Sequence, residues 1–168
     1  MSGLDVRVGL GIDFHRLTAG RRLVLGGVEI PWQVGLAGHS DADVLLHAVC
    51  DALLGAAALG DIGHHFPPED DRFAGIDSSQ LLARVRELVA GSGYRPLQVD
   101  AVVLADRPKL APHLPAMQAR IAEVLGVEPG QVSVKATTCE GMGPVGRGEG
   151  MAAWAVALIR TAAPGRDR

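Results

Sequence analysis

The sequence predicts an α+β fold in which a layer of strands packs against helices. Three stretches carry apolar residues at helical spacing and close on glycine. Others are short, β-branched and alternating, as half-buried strands are. No repeat, low-complexity tract or linker separates them, so residues 1–168 read as one domain.

Val6 to His15 alternates and reads as the first strand. Arg21 to Ile30 holds a second short strand with Gly26-Gly27 as a bend or bulge, and Pro31 to Gly38 reads as a loop. Ser40 is placed to cap a helix, with Asp41 and Asp43 in its first turn, where the helix dipole favours anions. That helix runs from Val44 to Leu59, rich in Leu and Ala, and ends at Gly60. Asp61 to Ile76 forms a loop. Asp77 caps the next helix, with Gln80 placed as in a capping box and Leu81, Leu82, Val85, Leu88 and Val89 on its apolar face. Leu97 to Ala105 is a strand, Pro112 to Leu125 a helix closed by Gly126, and Val132 to Cys139 a strand. Gly150 to Thr161 is apolar on both alternating faces, as in a buried strand, but its alanines tip the expectation to helix.

Composition narrows the function. Hydrophobic residues make up 48% and charged residues 21% of the 168, close to the globular average. A formal net charge of -3 gives no broad basic surface for nucleic acid. Cys50 and Cys139 form neither a disulfide framework nor a CxxC pair, which suits a reducing compartment. No secretory signal or long apolar span is read, so a cytoplasmic protein without membrane contact is expected.

Two polar groups carry chemistry. Asp13-x-His15 closes the first strand, and residues two apart on a strand share a face. Asp43 and His47 are four apart on a helix and share a face, which Asp51 extends. One carboxylate and two imidazoles would make a zinc site with an open position. A capping or surface pair is the plainer reading of Asp-x-His, whereas His47 sits in the apolar run VLLHAVCDALL and needs a partner. The second group is Lys135 to Glu140 followed by the glycine-rich stretch to Gly150, with Lys109 upstream. Glycines let amides approach phosphate oxygens, threonines add donors, and a carboxylate suits magnesium. A glycine-rich turn between strands explains the same residues.

These pieces occur in the order of one family. Asp13-x-His15, Gly38-His39-Ser40-Asp41-Ala42-Asp43 through His47, Asp51 to Pro67, Pro108-Lys109, Lys135 to Glu140 and Gly146-Arg147-Gly148-Glu149-Gly150 together resemble 2-C-methyl-D-erythritol 2,4-cyclodiphosphate synthases, from about Val6 to Ile159. The resemblance implies a two-layer sandwich, a mixed sheet against helices, assembled as a homotrimer with active sites between subunits. It implies zinc, or another divalent transition metal, on Asp13, His15 and His47, and magnesium or manganese on Glu140. It implies catalytic roles for His39, Ser40, Asp43 and Thr138. Substrate contacts would come from Asp61, Ile62, Gly63, Ala105, Lys109, Leu110, Ala136, Thr137, Thr138 and Arg147. The implied reaction turns a cytidine-diphosphate-linked methylerythritol phosphate into a cyclic diphosphate and CMP. Arg147 and Glu149 would line a three-fold channel, either able to hold an isoprenoid diphosphate or closed by a purely structural Arg–Glu ring. Ala42, where the family commonly has glycine, is expected to be harmless at the start of a helix. Cys139, Pro144-Val145 and His64-His65 also depart from the family pattern. A zinc-dependent phosphohydrolase and a non-catalytic isoprenoid-diphosphate-binding trimer are the alternatives.

Overall fold

The computed structural model describes residues 5–162. Its main sheet has the order β4-β1-β7-β5-β6. β1 spans Val6–Ala19, β4 Val34–Leu36, β5 Tyr94–Leu104, β6 Val132–Thr137 and β7 Gly150–Thr161. Every pairing is antiparallel except β5 with β6, which are parallel and joined through helix α4, Leu114–Leu125. A parallel pair needs such a crossover, because a tight turn cannot reverse direction twice. The sheet is therefore mixed, and helices α1 (Val44–Ala56), α3 (Ser78–Gly91) and α4 form the other layer. Among the described residues no helix is long and apolar enough to cross a membrane.

β1 runs closest to α1. Gly9 and Gly11 turn inward, and a Cβ on either would lie 2.0 Å from Ala52 O or 1.9 Å from Ala48 O. Only hydrogen fits there, so the strand backbone lies against the helix backbone. Asp13 and His15 follow on the same inward side, which carries them to the N-terminal half of α1.

The tail expected as a helix is β7, a strand bonded to β1 on one side and β5 on the other. Its alanines favour helix locally, but two waiting strand edges together satisfy its backbone groups, and Ala153, Ala155 and Ala157 fit the tight space under α1. The Arg21 to Ile30 stretch is a hairpin, β2 (Leu23–Leu25) and β3 (Val28–Ile30), turned by Gly26 and Gly27 with φ of 61° and 71°. The expected loop after it contains β4, which pairs with Leu17 to Ala19 and lengthens β1 beyond His15. The loop from Asp61 contains α2, Ile62–His65.

Asp43, not Ser40, caps α1. Its carboxylate accepts from Leu45 N and Leu46 N, and also from Gly26 N and Gly27 N. One buried side chain thus starts the helix and pins the hairpin turn. Ala42 consequently lies outside the helix at φ 60°, fully buried. The expectation that its Cβ is free of consequence is wrong: the left-handed region costs an L-residue about 1–2 kcal/mol, which glycine would not incur.

Candidate metal centre and nucleotide segment

Asp13 Oδ2, His15 Nε2 and His47 Nδ1 form a near-equilateral triangle. The separations are 2.9 Å for Asp13–His15, 3.0 Å for Asp13–His47 and 3.0 Å for His15–His47. Tetrahedral zinc at ordinary bond lengths separates its ligand atoms by about 3.3 Å, so small side-chain shifts would admit an ion.

Proton placement decides whether these atoms can bind a cation. His15 Nδ1 lies 2.7 Å from Ala37 O, which only accepts, so that nitrogen carries the hydrogen and Nε2 offers a lone pair. His47 Nε2 lies 3.1 Å from both Ser40 Oγ and Ser78 Oγ. Ser78 Oγ donates to the Asp41 carboxylate, so its oxygen is free to accept from His47. His47 then directs its Nδ1 lone pair inward. Three lone pairs converge with no proton assigned between them, and a divalent cation resolves that arrangement.

Without a cation, protons take up that space. Burial would raise the Asp13 carboxyl, but hydrogen bonds and charge from His15 and His47 outweigh it and hold it well below the usual carboxylate range. Burial would likewise lower His15, yet the Asp13 hydrogen bond and charge leave it raised above its ordinary value. A proton on His15 thus partly takes the place of a cation.

A pocket of about 190 Å³ opens beside the triangle, with His15, His39, Ser40, His47, Ile62 and Gly63 in its wall. The 62–63 turn is held against α1 by Asp51, which accepts Ile62 N–H at 2.7 Å, so Asp51 works through the loop rather than on the cluster. Asp61 caps α2 through His64 N–H. His39 Nε2 meets Asp70 O at 3.1 Å, tying the pocket's rim to the loop above it. Asp43 was expected among the catalytic residues, but it is 0% exposed and engaged by four backbone amides, so it faces no pocket. Burial pushes its carboxyl up against the pull of the Gly27 and Leu46 amides. The sequence suggests for Asp41 only a place in the first helical turn, whereas through Ser78 it orients His47. Ser78 is hidden in sequence because Asp77-Ser78-Ser79 reads simply as a helix start.

The second group gathers elsewhere. Val103 pairs with Ala136 and Leu104 with Thr137, and Ala105 N donates to Thr137 O. Ala105 and Leu110 are buried; Lys109, Ala136, Thr137, Thr138 and Glu140 are exposed. Thr138 Oγ1 donates to Glu140 Oε1 at 2.6 Å. Through the register Asp13–Ala153–Val103–Ala136, this group lies three strand spacings from the triangle, roughly 14 Å. The structure therefore does not bring the two groups together within one chain. Arg147 pairs with Glu149 of its own chain at 2.7 Å.

Residues 6–160 match the model of the YgbB family. A 2-C-methyl-D-erythritol 2,4-cyclodiphosphate synthase from Synechococcus sp. (strain JA-2-3B'a(2-13)) is 60% identical over 154 residues, 92% of this chain and 98% of that protein. A solved structure of a 2C-methyl-D-erythritol-2,4-cyclodiphosphate synthase in a CDP-bound form superposes with a TM-score of 0.84 at 39% identity, covering 91% of this chain and 99% of the other. The bifunctional IspDF from Campylobacter jejuni superposes at 0.92 and 39% identity; the match covers 95% of this chain but only 43% of that longer one.

Proposed function

Because the chain belongs to the YgbB family, we propose that the Asp13–His15–His47 triangle and the segments ending β5 and β6 form the two halves of one catalytic centre. The chain converts 4-diphosphocytidyl-2-C-methyl-D-erythritol 2-phosphate to 2-C-methyl-D-erythritol 2,4-cyclodiphosphate and CMP. It is a phosphorus–oxygen lyase of the non-mevalonate isoprenoid pathway.

In this reaction an oxygen of the 2-phosphate attacks the β-phosphorus of the cytidine diphosphate. The bond from that phosphorus to the bridging oxygen breaks, and CMP leaves with the oxygen. No water is consumed. No protein nucleophile is required either, because the attacking oxygen is already anionic and tethered, which leaves positioning and charge as the protein's tasks. Zinc on Asp13, His15 and His47, with magnesium or manganese near Glu140, would supply Lewis acidity to the diphosphate. His39 and Ser40 line the pocket beside the triangle, and Ile62 and Gly63 shape the space for the methylerythritol part. Lys109 offers a point charge, and Thr137 and Thr138 offer hydroxyl donors, to the nucleotide phosphates. The observation that carries this reading is the Asp13–His15–His47 triangle, whose three ligand atoms converge closely enough to hold a metal ion.

A diphosphate is far shorter than the separation of the two halves. We therefore infer a homotrimer in which one subunit's triangle faces its neighbour's nucleotide segment. The outer face of the sheet supports this: Val8, Leu10 and Phe14 are 65%, 59% and 60% exposed, and Trp154 and Val156 continue the patch. A contiguous apolar patch on a sheet face marks an interface. Around a three-fold axis such faces, ending at Arg147, would offer an isoprenoid diphosphate an apolar wall and a cation. Arg147 would then exchange Glu149 for the ligand, and titration with farnesyl diphosphate should release heat. Cys50 and Cys139 are free thiols, which supports a cytoplasmic setting.

Phosphorus NMR of the product tests the reaction. The synthase yields CMP and a cyclic diphosphate, a phosphohydrolase would yield a linear phosphate, and a pure binding protein would leave the substrate intact.

A further inference from the structure

Beyond Ala105 and Thr137 the parallel strands part, and the ladder gives way to a side chain. Asp106, immediately after β5, accepts Cys139 N–H on Oδ1 at 2.6 Å and Gly141 N–H on Oδ2 at 3.0 Å. The two bonds straddle Glu140, whose φ of 52° lies where L-residues rarely settle. Glu140 in turn accepts from Thr138 Oγ1. Asp106 thereby ties the strand end leading to Lys109 and Leu110 to the turn carrying Thr138 and Glu140. Hydrogen bonds to an ionised acceptor are stronger than neutral ones, and a carboxylate has an oxygen for each amide.

We propose that Asp106 is a positioning residue for the nucleotide half of the site: its carboxylate clamps the 139–141 turn and so presets Thr138 and Glu140 for a cytidine diphosphate. The proposal rests on the reading of these segments as the nucleotide half. Asp106 itself need not touch the substrate. It removes freedom from the turn before binding, and a ligand then has less to order.

The test uses zinc-loaded protein and CDP as the probe. Binding is measured by calorimetry for the native chain, Asp106→Ala and Asp106→Asn, alongside kcat, KM and bound zinc. Asp106→Ala should weaken CDP binding by about tenfold or more, raise KM more than it lowers kcat, and leave zinc content unchanged. Asp106→Asn should recover part of the loss, because its amide oxygen still accepts one N–H. Amide exchange at Cys139 and Gly141 should quicken in Asp106→Ala. Equal CDP affinity in the native and alanine proteins overturns the proposal. If the alanine protein does not fold, native affinity in Asp106→Asn overturns it instead. Failure of the native protein itself to bind CDP would overturn the nucleotide reading, and the clamp with it.

Discussion

His47 turns Nδ1 toward Asp13 and His15 because Ser78, held by Asp41, takes the hydrogen on Nε2. Removing that anchor frees the ring to turn without deleting the ligand. Ser78→Ala should therefore weaken zinc binding by about 10- to 100-fold while leaving the fold intact, as chelator competition would read. His47→Ala removes the ligand itself. Its zinc content by elemental analysis should fall to background and turnover should vanish; a full complement of zinc would refute the assignment. The same residues set a pH dependence. His15 must lose its proton before Nε2 can bind a cation, and its pKa stands above the ordinary 6.5. Zinc affinity should thus already fall on the alkaline side of 6.5 and drop by about tenfold per pH unit below the folded pKa. Chelator competition across that range checks the slope, and a flat profile would count against His15 as a ligand.

At the level of elements, the packing of β1 on α1 decides where the ligands sit. Gly9 and Gly11 allow backbone contact, which brings Asp13 and His15 within bonding range of the helix that carries His47. A methyl at Gly11 would meet Ala48 O and Ala52 N, neither of which can swing aside. Gly11→Ala should cost about 3 kcal/mol or more in chemical denaturation, and any protein that folds should bind zinc weakly because the strand is pushed off the helix. Glycine within a strand signals close backbone approach, so this contact was open to a reading of the sequence, though its helical partner was not. The tail was less legible. Its alanines carry a helical preference, and only the two strand edges waiting on either side make β7 the better state.

For the whole molecule, the proposed division of the site between subunits gives the sharpest expectation. His47→Ala disables the triangle, and Thr138→Arg should block the nucleotide half by bulk, so each variant alone should be inactive. Reassembled in equal amounts into mixed trimers, random placement leaves about one site in four with both halves intact if the three-fold contact is heterologous. Recovery of about that fraction of native activity would establish a shared site. Silence from mixed trimers verified by native mass spectrometry would mean that both halves belong to one chain.

Part of the candidate metal centre was legible in the sequence from local periodicity. Two residues apart on a strand put Asp13 with His15, but the helical spacing expected to put Asp43 with His47 fails, because Asp43 caps α1 from outside the helix. The family resemblance adds the order of the motifs. Tertiary structure alone decided which of these side chains meet. It turned Asp43 away to cap α1 and hold the Gly26-Gly27 turn, and it recruited Ala37, Asp41 and Ser78 to fix two imidazole tautomers. It also left Thr138 and Glu140 at the far side of the sheet from the triangle. The reason is that long-range contacts depend on strand order and helix placement, which no single window of sequence encodes; they emerge when the whole chain satisfies its backbone hydrogen bonds and buries its apolar faces at once.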